Sequence, residues 1–122
     1  MRFYGQRWVY LIGNTIVKVD NAFALNLWTQ ERLLVNDEPA QESAGWARIF
    51  QRYREPWLTP LGEGELRVTL RSQGAGIGCT ATLDGRILAP EARHQSSWRG
   101  PARSWPEEAE WAPQEGKNWW AR

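Results

Sequence analysis

Cys79 and His94 are the only cysteine and the only histidine of this chain. A thiolate beside an imidazole would be nucleophilic chemistry. Cys79, however, belongs to the apolar alternation Ile77–Cys79–Ala81, where a buried thiol is kept protonated and inert. His94 lies in a polar stretch whose nearest acid is Glu91. One cysteine and one histidine cannot assemble a zinc set. Asp20, Asp37 and Asp84 stand at turn-type positions that call for Asp on their own account, so no metal is expected. "GAGIG" at 74–78 resembles a phosphate cradle, but no Lys-Ser/Thr follows it and the segment runs on as a strand. Glu107, Glu108 and Glu110 could supply paired carboxylates for glycosidic chemistry. Adjacent acids behind Pro106 fit better as the first turn of a short helix, where negative charge suits the dipole. The expectation is a chain that is not an enzyme and has no cofactor.

Binding is a better prospect than catalysis, because nine residues are tryptophan. Indole faces stack on sugars, bases and guanidinium groups, and tryptophan is favoured at interface hot spots. Trp8, Trp28, Trp46 and Trp57 are expected in the core or its rim. The contact candidates are Trp98, Trp105, Trp111, Trp119 and Trp120, with Arg48, Arg52 and Arg54 on an Arg-bearing strand. Of fifteen basic residues only Lys18 and Lys117 are lysine. That arginine bias suits phosphate recognition, but fourteen carboxylates hold the net charge at +1 and no stretch is strongly basic. A nucleic-acid partner is not expected.

These side chains must be positioned by strands. Residues 6–12 are apolar on both parities, as in a strand covered on both faces. Gly13-Asn14 then turns the chain into "TIVKV". Asp20-Asn21 breaks the pattern, and "AFALNLW" resumes it. Leu33 and Val35 lead to a turn at Asn36-Asp37, and Pro39 marks the return as short or at an edge. Residues 45–54 fit a helical face at Trp46, Ile49, Phe50 and Tyr53, or a strand; the flanking strands favour a strand. Leu66, Val68 and Leu70 alternate with Arg67, Thr69 and Arg71 as a half-buried strand. Asp84-Gly85 signals another hairpin, so "TQERLLVNDEPA" at 29–40 has an echo in "CTATLDGRILAP" at 79–90.

From Pro90 the composition changes to four prolines, five acids, five bases and five tryptophans. Pro101, Pro106 and Pro113 prevent a continuous helix. Free indoles would expose much apolar surface, so this segment is expected to wrap over the body or over a partner.

The two hairpins resemble those of the Fas apoptotic inhibitory molecule family. "ERLLVNDE" is similar to its first hairpin turn and "LRVTLRSQGAGIGCTATLDGRIL" to its second, with "GWARIF" as the Trp-containing strand between. The resemblance spans roughly 15–90. Asp37 replaces the turn glycine, Pro39 follows at once, and the Trp-rich segment has no counterpart. It implies a compact antiparallel β-sandwich, no enzymatic activity, and action through protein contacts.

The expected fold is therefore all-β: an antiparallel sandwich of about seven or eight strands over residues 1–90, with a Trp/Pro-rich segment at 91–122 packed on it. Its core should hold Val9, Leu11, Val17, Val19, Leu33, Val35, Leu66, Val68, Leu70, Ile77, Ala81 and Leu83. The expected role is a protein-interaction or structural module with a protein partner or a second copy of itself. The alternative is carbohydrate binding on a platform of exposed Trp, and an enzyme around Cys79 or His94 ranks last. The lone cysteine, and the absence of any apolar run long enough for a signal peptide or membrane span, make the cytoplasm the expected location.

Overall fold

The alternation at Leu66–Val68–Leu70 recurs along most of the chain, and each run becomes a strand because such residues fit a pleated, half-buried surface. The computed structural model describes residues 1–46, 55–73 and 76–114. Among these there are ten strands, all paired antiparallel, and no α-helix. The all-β antiparallel expectation is met, with more strands than the seven or eight read from the turns. No helix among the described residues is long and apolar enough to cross a membrane.

Two compact units divide the chain: residues 1–48 with 90–122, and residues 49–89. The segment from Pro90 thus belongs with the first strands. The first unit is a six-stranded sheet of β1 (Arg2–Ile12), β2 (Thr15–Ala24), β3 (Trp28–Val35), β4 (Glu38–Trp46), β9 (Ala92–Arg99) and β10 (Ala112–Pro113), in the order β10-β9-β1-β2-β3-β4. One face buries Trp8, Tyr10, Val17, Val19 and Leu33. The other buries Phe3, Ala22, Ala24, Trp28 and Trp98, with Ala44 and Trp105 half-buried against them. The second unit is a four-stranded meander, β5 (Trp57–Leu61), β6 (Gly64–Gln73), β7 (Gly76–Leu83) and β8 (Arg86–Leu88), with Leu66, Val68, Leu70 and Ala81 buried.

The strands β1–β4 and β5–β8 repeat one design. Each begins with a two-residue turn whose first residue is a glycine in the left-handed region, Gly13 at φ 60° and Gly62 at φ 61°. Each ends with a turn having both central residues at positive φ, Asn36-Asp37 and Asp84-Gly85, the pattern whose twist matches the flanking strands. The first residue of that last turn reaches back in the same way in both. Asn36 N–H donates to the Ile16 carbonyl at 2.8 Å, and its Oδ1 accepts from Ile16 N–H at 2.9 Å. Asp84 N–H donates to the Glu65 carbonyl at 3.1 Å, and its Oδ1 accepts from Glu65 N–H at 2.9 Å. The echo in the sequence is therefore an architectural repeat.

Four expectations change. Asp20 and Asn21 do not break a strand: both are buried inside an unbroken β2. The reversal comes at Leu25–Leu27, leaving Leu25 80% exposed. Leu11 is 53% exposed, lying beyond Val9, the last residue of β1 that β9 pairs with. Residues 92–99 form a full strand beside β1, where composition alone suggested irregular wrapping. Val9, Val35, Ile77 and Leu83 are half-buried. Pro39 does sit on an edge strand, at a register shift opposite Leu33 and Leu34, where its missing N–H is harmless. Gly45 and Trp46 end β4; the strand-or-helix question at 47–54 lies outside the described residues, as do Arg48, Arg52, Arg54, Trp119 and Trp120.

Candidate functional site

Strand register alone lines up a row of charges across the six-stranded sheet. His94 on β9 pairs with Arg7 on β1, Arg7 with Asp20 on β2, Asp20 with Arg32 on β3, and Arg32 with Glu42 on β4. Arg7 is 3% exposed and Asp20 fully buried. The Arg7 guanidinium grips the Asp20 carboxylate with two donors, Nε to Oδ1 at 2.6 Å and Nη2 to Oδ2 at 2.9 Å. Arg32 Nε adds a third bond, to Oδ2 at 2.8 Å. This fork geometry is the strong form of the ion pair. One residue along, on the opposite face, runs a second polar row of Gln95, Gln6, Asn21, Glu31 and Ser43. There Ser43 Oγ donates to Glu31 at 3.0 Å, and Asn21 Nδ2 to its other oxygen at 3.4 Å.

A strap, residues 101–111, crosses the charged face. It leaves β9 through Gly100, folds back at Ser104 with Arg103 at φ 72°, and closes with a single 3-10 turn at Glu108–Glu110. Glu107 and Glu110 form a reciprocal capping box, as the proline-then-acids pattern predicted for a helix start. Gln30 clamps the fold-back: its Oε1 accepts from Arg103 N–H at 2.8 Å and its Nε2 donates to the Ser104 carbonyl at 2.6 Å. Glu108 completes the shell of Arg7, accepting from Nη1 at 2.7 Å and Nη2 at 3.3 Å, and also pairs with Lys18 Nζ at 3.4 Å. A half-open cleft of about 90 Å³ remains at the strap's edge, lined by Gln30, Glu42, Ala44, Arg103 and Trp105 among others.

Indoles secure the strap. Trp111 lies over the Arg7 guanidinium at 4.4 Å and Trp105 over that of Arg32 at 4.5 Å, cation–π contacts with desolvated cations. Trp98 stacks on Phe3 and lies against Trp105 and Trp111, with centroids 5.2, 5.9 and 6.1 Å away. These rings need Gly5 beneath them, since a Cβ there would stand 2.7 Å from the Trp98 ring.

The charges tune one another. Burial works against the Arg7 cation, yet hydrogen bonds to Asp20 and Glu108 raise its pKa further above the ordinary value. The Glu108 carboxyl is held below the usual carboxylate range by its hydrogen bonds from Arg7 and by the nearby Lys18. His94 is lowered, first by burial and then by the charges of Arg7 and Lys18.

Of the sequence candidates, Trp98, Trp105 and Trp111 come together here, as packing beneath and along the strap. Trp98 and Trp111 are buried and Trp105 half-buried, so these indoles are engaged within the unit. Cys79 belongs to the four-stranded sheet and His94 to the six-stranded one, so no strand register sets them side by side. No group of three or more His, Cys, Asp or Glu able to hold a metal occurs among the described residues. Arg7, Lys18, Asp20, Gln30 and Arg32 were not foreseen. One signal was present: a turn at Gly13-Asn14 places Arg7 opposite Asp20 by counting outward. At the far end of the same sheet Trp46 is 59% exposed and edge-on to Trp28 at 5.1 Å, and Leu25 and Leu27, in the turn that leads into Trp28, are exposed as well.

Comparison of the chain with protein-family models, with curated proteins and with solved structures returned no match.

Proposed function

We propose that this chain is a non-catalytic protein-interaction module that meets its partner through the apolar rim around Trp46. The observation that carries this reading is the exposure of Trp46 at 59%, with Leu25 and Leu27 also exposed where β2 turns into β3. An exposed aromatic set among aliphatic neighbours is the usual anchor of a protein interface. The edge strand β4, which ends at Trp46, adds backbone groups to the same margin. The resemblance of the twin hairpins to the Fas apoptotic inhibitory molecule family, whose members act through protein contacts, points the same way. With Trp98 and Trp111 inside the fold, the contact shifts from those two indoles to Trp46.

Sugar binding on an indole platform needs two exposed coplanar rings. Among the described residues Trp46 alone is exposed, and it stands at 73° to Trp28. Nothing favours the platform over the protein contact.

The test compares the wild type with Trp46→Ser, a variant whose far-UV circular dichroism should be unchanged. The wild type should bind a protein partner, or a second copy of itself in sedimentation equilibrium, and the variant should not. Equal association by the two folded proteins would end this reading.

A further inference from the structure

We propose that the sheet face under the strap is a recognition site for a partner's protein segment that carries a carboxylate three residues ahead of an aromatic ring. Glu108 and Trp111 fill this site in cis. It centres on Arg7, whereas Trp46 stands at the β4 margin of the sheet, so either proposal can fail without the other.

The site is built as a receptor. A buried guanidinium, fixed by Asp20, presents its remaining donors Nη1 and Nη2 to the Glu108 carboxylate, with Lys18 Nζ as a second cation. The indole of Trp111 covers the same guanidinium. A carboxylate and a ring are thus read by one arginine, fixed in geometry before the ligand arrives. The Trp111 Nε1 donor is buried without a partner among the described residues, so the strap's own ring sits here at the cost of an unmade hydrogen bond. A partner ring without such a donor, phenylalanine in place of tryptophan, would not bear that cost.

The charged row is not required to build a sheet of this kind. The second meander has the same register, with Thr69 and Thr80 where the first has Asp20 and Arg32. A buried ion pair is weak evidence of stabilisation compared with neutral residues of similar size. Its evident effect here is to hold a strap.

That strap is attached at points. Pro106 and Trp111 are its buried residues, while Glu107, Glu108, Ala109 and Glu110 are exposed. At its fold-back Arg103 occupies the left-handed region at φ 72°, a conformation costly for a residue with a Cβ and relieved on opening. A tethered segment acts at an effective concentration on the order of millimolar, so a partner segment must bind the open face more tightly than the strap does.

A fluorescent peptide of residues 101–114 serves as the probe, titrated into the full chain. The wild type should bind it weakly. Chains carrying Glu108→Gln, or Trp111→Ala as well, should bind it at least about tenfold more tightly, because the cis competitor is weakened. A peptide carrying either change should lose binding. In the wild type, hydrogen exchange should show the Glu110 and Trp111 amides opening far more readily than those of β1 and β2. Folded variants that bind no better than the wild type would overturn the proposal. So would strap amides that exchange only with the whole sheet, a result that decides the matter even where a variant does not fold.

Discussion

The meanders β1–β4 and β5–β8 share turns, register and even the two-bond ring between the last turn and the second strand. They differ in what stands at matching places. Val17, Val19 and Leu33 correspond to Leu66, Val68 and Ala81, buried in both. Beyond them the first meander continues with Asp20, Asn21, Arg32 and Glu31, and the second with Thr69, Leu70, Thr80 and Cys79. The apolar half of the pattern is therefore what makes the meander. The polar half of the first copy is an addition, and only that copy is extended by β9, β10 and a strap. Shared residues report on architecture; the differing ones show where function is to be sought.

The two meanders differ most at Asp20. Asp20→Ala leaves Arg7 buried beside an empty place, and removing one partner of a buried pair costs about 3–5 kcal/mol. Thr69→Ala, its counterpart, should cost less than about 1 kcal/mol. Urea denaturation of the two variants measures the contrast, and similar losses would mean the row is no more than ordinary sheet packing. Gly5→Ala comes next. Its Cβ would press on the Trp98 and Trp111 rings, for an overpacking cost of about 1–3 kcal/mol. The effect should be accompanied by a change in Trp fluorescence.

Asn36→Ala and Asp84→Ala test the shared part. Each removes one turn clamp at an exposed hairpin and places alanine at positive φ, for about 1 kcal/mol apiece. Equal losses support the repeat; a large inequality would show that the two turns carry different loads.

The smallest effect is the pH response of the strap. His94 is lowered in the fold, so its contribution is complete above its ordinary value near 6.5 and is lost as pH falls below that. Glu108 is also lowered, so its contribution is present above 4.5 and is lost as pH falls through the folded value. Acid should thus loosen the strap in two stages, read by Trp fluorescence. His94→Asn should remove the upper stage alone.

Much of the fold was legible because turn chemistry is local. Gly13-Asn14, Asn36-Asp37 and Asp84-Gly85 each announce a hairpin, and period-two alternation supplies Leu66–Val68–Leu70. The charged row was illegible at Asp20 because Asp normally belongs in turns, and only its partner Arg7, opposite it across the first hairpin, explains it. β9 was hidden by its polar composition: "ARHQSSWR" lies between β1 and the short β10, with Trp98 as its one buried residue. Trp98 and Trp111 offered apolar area without saying what it would cover, and Gly5 becomes meaningful only once those rings lie on it. Leu11 was misjudged because its exposure depends on where a distant segment ends.

On this reading the charged row holds the strap and not the sheet. Replacing Arg7, Asp20 and Arg32 together by Met, Thr and Thr leaves no buried charge unpaired and imitates the second meander. Limited proteolysis with hydrogen exchange across residues 101–111 tests it most directly. The sheet should stay folded and protected at β1–β3 while the strap is cut and exchanges rapidly. A strap as protected as in the wild type would mean that the row does not hold it, and a sheet that unfolds with it would mean that the row holds the sheet too.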